Sequence, residues 1–356
     1  MFKNYVYDPK DPSGKHTFEI HDVDISIING IRRVILTDIP ICGFIGESES
    51  TVEIFKNNGP LHNEIMSHRI GLIPVCLTED EVENFEDDSI VFELNISNEN
   101  ISKLNVHSGN IKGKMNGKEL TPVQLSRIFP KNPVSDSHIL ITRLRPSEEL
   151  HFKATVVKRT GRYHSAFCPV SLSNFFYIQD PNVSKTKEGV LEKERSYYKN
   201  KYGDASVVQF EIEPLNNELG PKYLVNKSLQ IITMKLKNLI QNILENNSAT
   251  KINITQFEEL ANTYEFDIPG EDDTIGNIIQ SYIHNKYIRE SAKENVNCSY
   301  VGYLCPHPLK DQLLVRITLV DQTDKSVFIK FLNNNCMEII ENISEMKNEW
   351  NNFVEK

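Results

Sequence analysis

The hydrophobic and polar positions of this chain form the same helix-starting pattern twice. In residues 26–33, a hydroxyl residue and aliphatic residues precede Asn29 and an apolar helical run, and residues 274–281 repeat this order around Asn277. Recurrence of apolar residues at helical spacing after each asparagine predicts an amphipathic helix. A chain that starts the same helix twice is expected to hold two related modules, and related modules can pair.

The positions that flank the first pattern predict a strand, a capped helix and a stop. Residues 18–23 have the character of a strand that enters a turn. Asp24 or Ser26 can cap the helix that follows, because each offers an acceptor to the free N–H groups of its first turn. Apolar residues continue at helical spacing to Leu36, and Pro40 ends the helix.

Two longer amphipathic helices are predicted, one after the strand-like residues 207–212 and one at the end of the sequence. A lone module would not easily cover an apolar face about 40 Å long, at ~1.5 Å per residue. We therefore expect these helices to pair as dimerisation helices. The residues expected on their apolar faces include Leu236, Ile240 and Ile243 in the first helix, and Phe331, Ile339 and Ile343 in the second.

The chain changes character at about residue 76. In residues 76–204 short β-like runs alternate with turns rich in Asn, Gly, Pro and Ser, which predicts a β-rich insert domain. The first dimerisation module is then expected to comprise residues 1–75 and 205–248. Residues 249–356 form the second module.

Composition and charge limit the classes of function. The chain has 356 residues, 39% of them hydrophobic and 25% charged, which is typical of a globular protein of two or three domains. No apolar run approaches the ~20 residues that span a bilayer, and the first residues lack a signal core. The net charge of −10 disfavours direct binding of nucleic acid, so we expect any contact with DNA to be indirect.

Six cysteines are scattered without a C-x-x-C pair, which disfavours a structural zinc site. Reduced thiols in an intracellular protein are the favoured interpretation. His62 and His68 stand six residues apart and do not share a helix face, so a metal site of the H-E-x-x-H type is not expected. We therefore predict that the protein holds no metal and no cofactor.

Three further groups have residue types that suggest catalysis but lack its spacing. Residues 113–118 resemble a phosphate-binding loop in composition, yet no Ser or Thr follows the lysine, and a hairpin is favoured. His164 with Cys168, and Cys305 with His307, lack the sequence frame of a nucleophile site or further metal ligands, and structural packing is favoured.

Arg32 and Arg33 are adjacent on an otherwise apolar helix. Two interpretations stay open from the residues alone: a solvated helix face, or a pair of cations that bind a partner.

Three blocks in the first half resemble a known family. Residues 29–36, Asn-Gly-Ile-Arg-Arg-Val-Ile-Leu, followed by Asp-Ile-Pro, look like the alpha-subunit signature of multisubunit RNA polymerases. Residues 68–75, His-Arg-Ile-Gly-Leu-Ile-Pro-Val, resemble the next block of that family, as in the third subunit of RNA polymerase II and the archaeal D subunit. Residues 158–169 are similar to the block that closes the insert in those proteins.

The last hundred residues resemble the smaller partner in the same family, the eleventh subunit of RNA polymerase II or archaeal L. The matching positions are residues 271–277, 301–303 and 307–308. The chain therefore resembles a natural fusion of the two subunits. Such fusions occur in large nucleocytoplasmic DNA viruses, and the abundance of Asn, Ile and Lys is consistent with an AT-rich genome.

The resemblance implies the fold and the role. The implied fold class is α+β, with two dimerisation modules, each a sheet with helices on one side, paired as an intramolecular pseudo-dimer. The implied role is a non-catalytic platform for assembly of a DNA-directed RNA polymerase. Its expected partners are the largest and second-largest polymerase subunits and other small subunits, with no membrane partner.

The resemblance also implies which residues contact partners. In the family, the helix with the paired arginines faces the second-largest subunit, and the smaller partner contacts the largest. Gln280 and Ser281 replace the arginines in the second module, and Asp273 replaces the usual histidine. The expected subunit-interface residues are Asn29, Arg32, Arg33, His68, Arg69, Gly71, Pro74, Lys158, His164, Asp273, Thr274, Gly276, Asn277, His307 and Pro308.

Two expectations complete the sequence-based hypothesis. A free-standing dimeric adaptor with the same fold, outside a polymerase, is the alternative function. The expected location is intracellular, in a viral factory of the host cytoplasm and also in the virion, with the nucleus less favoured.

Overall fold

The computed structural model describes residues 1–8, 11, 14–245, 252–257, 260, 262–289, 298–307, 309–310, 312–321 and 324–354. Among the helices in these ranges, none is long and apolar enough to cross a membrane. The protein combines antiparallel sheets with helices, which confirms the predicted α+β class.

The strands are, in chain order, β1 (Phe2–Tyr7), β2 (His16–His21), β3 (Pro40–Gly43), β4 (Val52–Asn57), β5 (Ile90–Ser97), β6 (Leu104–His107), β7 (Lys112–Met115), β8 (Lys118–Glu119), β9 (Leu140–Leu144), β10 (Glu149–Thr155), β11 (Val157–Thr160), β12 (Val170–Tyr177), β13 (Val207–Pro214), β14 (Asn253–Gln256), β15 (Thr263–Pro269), β16 (Cys298–Leu304) and β17 (Gln312–Leu319). The helices are α1 (Ile25–Thr37), α2 (Asn63–Gly71), α3 (Glu79–Glu83), α4 (Pro122–Ile128), α5 (Pro181–Ser184), α6 (Val190–Glu194), α7 (Pro221–Glu245), α8 (Asp273–Ile283) and α9 (Lys325–Val354). A π-helical segment, His284–Arg289, continues α8.

The chain builds the same supersecondary unit twice. In the first half, the sheet order is β1-β2-β13-β12, with α1 between β2 and β12 in the chain and α7 after β13. In the second half, the order is β14-β15-β17-β16, with α8 after β15 and α9 after β17. All neighbouring strands in both sheets are antiparallel. The doubled helix-starting pattern therefore marks α1 and α8, the same element in each half.

The β-rich insert lies between α1 and β12 of the first half. A five-stranded sheet, β4-β10-β5-β7-β8, forms its centre, and the pairs β3–β11 and β6–β9 flank it. Strand β4 therefore belongs with the insert sheet although it precedes residue 76, and β12 belongs with the first-half sheet although it precedes residue 205. The strand pairing thus follows a different division from the predicted ranges 1–75 and 76–204.

The two halves share one core. Helix α1 packs against α7 and α8, and α7 packs along α9. A continuous cluster of buried apolar side chains includes Ile31 and Leu236 of the first half and Ile278 and Ile343 of the second. Burial of apolar surface is the dominant favourable term in folding and association, so this shared core holds the halves together.

The end of α9 packs against the sheet of the first half. Trp350 is fully buried, and its ring centroid lies 4.9 Å from that of Phe2 and 4.7 Å from that of Phe18. Its indole Nε1 donates a hydrogen bond of 3.3 Å to the carbonyl of Lys222 in α7. The long apolar face predicted for the last helix is thus covered by the first half of the chain.

Candidate interface sites

Helices α1 and α8 begin with equivalent aspartates. The carboxylate of Asp24 accepts a 2.8 Å hydrogen bond from the backbone N–H of Ser26, which decides between the two caps that the sequence offers. The carboxylate of Asp272 accepts a 2.9 Å hydrogen bond from the N–H of Thr274. Each aspartate thereby satisfies one of the N–H groups that a helix start leaves free.

Each cap aspartate also contacts the opposite helix. Asp24 Oδ2 accepts a 2.8 Å hydrogen bond from Ser281 Oγ of α8. At the other end, Arg33 of α1 donates from Nε to Thr274 Oγ1 at 2.9 Å, and its Nη2 lies 3.6 Å from Asp272 Oδ2. Arg33 and Ser281 each stand nine residues after the cap aspartate of their own helix. The contacts are therefore equivalent by the internal repeat, and α1 and α8 run antiparallel.

A network of ion pairs surrounds Asp272. Arg162, which follows β11, places Nη2 at 2.8 Å from Asp272 Oδ2 and 3.2 Å from Asp38 Oδ1. Lys235 of α7 places Nζ at 3.1 Å from both Asp38 Oδ2 and Glu271 Oε2. Four separate segments of the chain meet here, so the network ties the end of the insert to both halves.

The network shifts the pKa values of its members in directions that its geometry explains. Burial alone would raise the pKa of Asp38, but Lys235 and Arg162 hold it below its ordinary value. Burial opposes ionisation of Asp272 too, but Arg162 and the hydrogen bonds from Thr274 hold its pKa well below the usual range. Glu271 behaves differently, since burial raises its pKa and Lys235 offsets this only in part. Within this network, Asp38 and Asp272 are thus the carboxylates whose lowered pKa favours the ionised form.

Arg32 has no counter-ion in the part of the chain that the structure describes. Its Nε donates a 2.9 Å hydrogen bond to Asn29 Oδ1, and within the described residues no carboxylate oxygen lies within 4.0 Å of its guanidinium. Partial burial, and after it the charge of Arg33, lowers the pKa of Arg32. The two adjacent arginines therefore differ: Arg33 joins the halves of this chain, whereas Arg32 keeps most of its five N–H donors available.

A second site lies where α2 meets the turn after β11. His68 Nε2 is 3.3 Å, and His164 Nε2 is 3.7 Å, from Glu47 Oε1. These side chains line a cavity of about 270 Å³. A Cβ on Gly71 would lie 2.7 Å from the backbone N of Gly46, so only glycine permits this approach of α2 to the loop. The fold thus brings together His68, Gly71 and His164, which come from two separate blocks of the sequence.

Three other predicted interface residues have local roles. Arg69 donates to two carbonyls of β9, at 3.1 Å and 3.0 Å, and so fastens α2 to the insert. Lys158 donates to the carbonyls of Val82 and Glu83 at the end of α3, where a cation also favours the helix dipole. Pro74 is exposed after α2.

The predicted residues of the second half are spread over several environments. Asp273 is exposed at the first position of α8, while Asp272 provides the cap. Gly276 is buried against its own sheet, and a Cβ there would lie 2.7 Å from side-chain atoms of that half. Asn277 lines a polar cavity of about 670 Å³ between the start of α1 and the end of α8. His307 is exposed, and Pro308 lies outside the described residues.

The six residues predicted on the dimerisation helices all pack in the shared core. Four of them are buried, and the two nearest the end of α7 are half-buried. The buried residues are Leu236, Phe331, Ile339 and Ile343, and the half-buried ones are Ile240 and Ile243.

The sequence candidates for a metal site and for a phosphate-binding loop can be compared with the described part of the chain. No group of three or more His, Cys, Asp or Glu side chains is placed there to hold a metal ion. Residues 113–118 form the predicted hairpin, β7–β8, with Asn116 and Gly117 at φ of 50° and 76° in its turn. Burial raises the pKa of Cys42 to about 12 and that of Cys76 to about 11, which keeps both thiols protonated.

Comparison with known proteins assigns a class to this arrangement. Residues 263–349 match the RNA polymerase Rpb3/Rpb11 dimerisation domain, the region that holds α8 and most of α9. The chain is therefore similar to alpha-like RNA polymerase subunits of the Rpb3/Rpb11 type, as its sequence blocks predict.

Three individual relatives make the similarity specific. The chain is 25% identical over 197 residues to the RNA polymerases I and III subunit RPAC1 of Saccharomyces cerevisiae, covering 48% of this chain and 56% of the relative. It is 27% identical over 194 residues to subunit 3 of RNA polymerases II, IV and V of Arabidopsis thaliana, covering 50% and 58%. It is 27% identical over 171 residues to RNA polymerase II subunit rpb3 of Dictyostelium discoideum, covering 44% and 52%. The chain thus spans a little more than half the length of these relatives.

Sequence reasoning did not identify five members of these sites, Asp38, Glu47, Arg162, Lys235 and Glu271. Lys235 stands among the apolar positions of α7, and the presence of a charge at that position is the one sequence feature that could have indicated its ion pairs. Asp38 lies in a recognised block, but the sequence does not reveal its partner Arg162, more than a hundred residues away. Glu47 lies in a loop without any pattern, so its contact with both histidines depends entirely on the tertiary fold.

Proposed function

We propose that this protein is a non-catalytic assembly subunit of a DNA-directed RNA polymerase, in which two alpha-like halves of one chain pair with each other. The observation that carries the proposal is the reciprocal contact of α1 and α8. The cap aspartate of each helix binds the equivalent position of the other helix, as in a two-fold symmetric dimer. The match of the second half to a dimerisation domain supports the same conclusion.

Fusion of the halves has an energetic consequence in this proposal. Helix α7 ends at Glu245 and β14 begins at Asn253, so a short connection joins the halves. Joining two modules through a short stretch of one chain gives an effective concentration of about millimolar, and part of the cost of association is avoided. The paired platform is therefore formed before it meets any other subunit.

Arg32 is the proposed contact with the second-largest polymerase subunit. It is a half-buried cation without a counter-ion in the described chain, and a guanidinium binds a carboxylate through two parallel hydrogen bonds. The cavity lined by His68 and His164 is the proposed neighbouring part of that surface. The second half, with Asn277 and His307, is proposed to contact the largest subunit. DNA would be contacted only through the complex, in keeping with the net charge of −10.

Co-purification tests this function. A tagged chain, co-expressed with the two largest subunits of its polymerase, should recover both in equimolar amounts. Arg32→Ala should reduce recovery of the second-largest subunit at least about tenfold, because loss of one member of a buried charge pair costs roughly 2–5 kcal/mol. Arg32→Lys should restore only part of it, since an ammonium cannot bind both carboxylate oxygens in the same way.

The variant Lys237→Ala, which removes an exposed cation from α7, is the matched control and should leave recovery unchanged. Equal recovery with Arg32→Ala would contradict the assignment of Arg32. If even the unmodified chain recovers neither large subunit, it is instead a free-standing adaptor.

We further propose that the chain is a viral fusion that acts in the cytoplasm of the host and enters the virion. This rests on the fused arrangement and on the residue composition, and nucleus is the less favoured alternative. A fluorescent tag on the chain in its natural cell should concentrate in cytoplasmic foci that contain newly made RNA. Concentration of the tag in the nucleus would contradict this part of the proposal.

A further inference from the structure

Equivalent positions of α1 and α8 meet where the two helices cross. Gly30 and Ile278 each stand six residues after the cap aspartate of their helix. A Cβ built on Gly30 would lie 3.0 Å from Cδ1 of Ile278, closer than nearly all such contacts. Symmetry-equivalent residues face each other only close to a two-fold axis, so the pseudo-two-fold axis of the molecule passes near this pair.

The residues at this point are complementary in size. Ile278 is 1% exposed, and its side chain occupies the space that the missing Cβ of Gly30 leaves. The same hollow is bounded by Ile232 and Thr274, at 3.6 Å and 3.7 Å from the position of that Cβ. One large and one small side chain therefore fill the crossing completely.

The two helices carry their glycines at different positions. In α8 the glycine is Gly276, two residues earlier, and there a Cβ would meet Leu313 and Tyr303 of its own half, both at 2.7 Å. The equivalent residue in α1 is Ile28, which is buried. The first half thus has its glycine toward the other half, whereas the second half has its glycine toward its own sheet.

We propose that the Gly30–Ile278 pair determines which halves can pair, so that α1 accepts α8 and rejects a second copy of α1. The contacts at the helix caps do not make this choice. In a pair of two first halves, Arg33 would meet Asp24, and in a pair of two second halves, Ser281 would meet Asp272; both contacts are chemically favourable. Side-chain size determines which halves pair, because two glycines would leave a cavity at the crossing and two isoleucines would overpack it.

A size-swap experiment on the full chain tests this. Ile278→Gly creates a Gly–Gly crossing, Gly30→Ile creates an Ile–Ile crossing, and the double variant restores one large and one small residue in the opposite order. We expect each single variant to lower the Tm by about 5 °C or more. The double variant should lower the Tm by less than half of the sum of the decreases in the two single variants. It has the same composition as the natural chain, so helix propensity does not explain a recovery.

A second double-mutant cycle, with smaller changes in side-chain size, tests the same pair if the Gly30→Ile variant does not fold. Gly30→Ala should not raise the Tm of the natural chain, although alanine favours helices by ~1 kcal/mol over glycine. In an Ile278→Val background, which lacks the Cδ1 atom that the new Cβ would approach, Gly30→Ala should raise the Tm. Gly276→Ala is the matched control, because its contacts lie in its own half and Ile278→Val should not change its effect.

Additive Tm changes in both cycles would overturn the proposal. Additive changes would mean that Gly30 and Ile278 contribute independently to stability. Side-chain size at this crossing would then not determine which halves pair. The result is independent of the polymerase function, since neither cycle requires another subunit.

Discussion

Asp24, the N-cap of α1, accepts a 2.8 Å hydrogen bond from Ser281 of α8. The equivalent aspartate at the other end, Asp272, is instead paired with Arg162 and Arg33. The two ends of the contact between α1 and α8 therefore use different chemistry. One end depends on hydrogen bonds from neutral donors, and the other end depends on ion pairs.

This difference predicts different responses to salt. Asp24→Asn and Asp272→Asn both retain a side-chain oxygen that can cap the helix. We expect Asp272→Asn to lower the free energy of unfolding by about 1 kcal/mol at low salt, because its ion pairs are partly exposed. At 1 M salt, where the Debye length is ~3 Å, most of this loss should disappear. Urea unfolding at the two salt concentrations measures it.

Asp24→Asn is the matched control for the salt experiment. Asp24 Oδ2 accepts from the hydroxyl of Ser281 at 2.8 Å and from the amide of Asn285 at 2.7 Å, and both donors are neutral, so the loss should be nearly the same at both salt concentrations. Equal sensitivity of the two variants to salt would contradict the distinction between the two ends.

The lowered pKa values of Asp38 and Asp272 predict acid sensitivity of the interface. A carboxylate with a folded-state pKa below its unfolded value of ~3.9 stabilises the fold above that value, and the contribution is lost as the pH falls through the folded pKa. Glu271, with its raised pKa, acts in the opposite sense at higher pH. We therefore expect stability to fall mainly below about pH 4. Unfolding measured from pH 7 to pH 2 should show a shallower decline for Asp272→Asn than for the natural chain; parallel curves would contradict the role of Asp272.

Trp350 predicts how strongly the end of α9 contributes to the fold. Its side chain is fully buried against Phe2 and Phe18, so Trp350→Ala should lower the free energy of unfolding by about 3–5 kcal/mol. Met337 lies on the same helix and is 50% exposed. Met337→Ala should therefore change the free energy of unfolding by less than about 0.5 kcal/mol. Circular dichroism during urea unfolding measures both. A loss for Trp350→Ala no greater than that of the control would show that α9 does not depend on this contact.

Cys305 predicts an effect of Asp273 on thiol reactivity. Burial and, after it, the carboxylate of Asp273 raise the pKa of Cys305 to about 11. Asp273→Asn should lower this pKa and increase the rate of reaction with a disulfide reagent at pH 8, by up to about tenfold for each unit of pKa. In a Cys305→Ser background the same substitution should have no effect on thiol release. A gain that persists in that background would place the reactive thiol elsewhere.

The sequence predicts the elements well where local physics determines them. The strand–cap–helix order near residue 24, the hairpin at residues 113–118 and the two long helices are all present, because caps, turn residues and apolar periodicity act over a few residues. The repeated pattern also identifies α1 and α8 correctly as equivalent elements.

The contacts between distant segments are not predictable in this way. Adjacent arginines give no local signal that Arg33 contacts Thr274 while Arg32 has no counter-ion among the described residues. Strand β12 belongs to the first-half sheet because it pairs with β13, and the residue composition of the turns does not predict this pairing. These features depend on which surfaces meet in three dimensions. Local patterns in a single sequence do not reveal those tertiary contacts.

The contact between Trp350 and Phe2 has a consequence for synthesis of the protein. Trp350 is synthesised almost 350 residues after Phe2. At 5–20 residues per second, this takes roughly 20–70 s. During that time the part of the first sheet that Trp350 covers lacks its contact with α9, so the nascent protein is expected to need a chaperone until α9 is made.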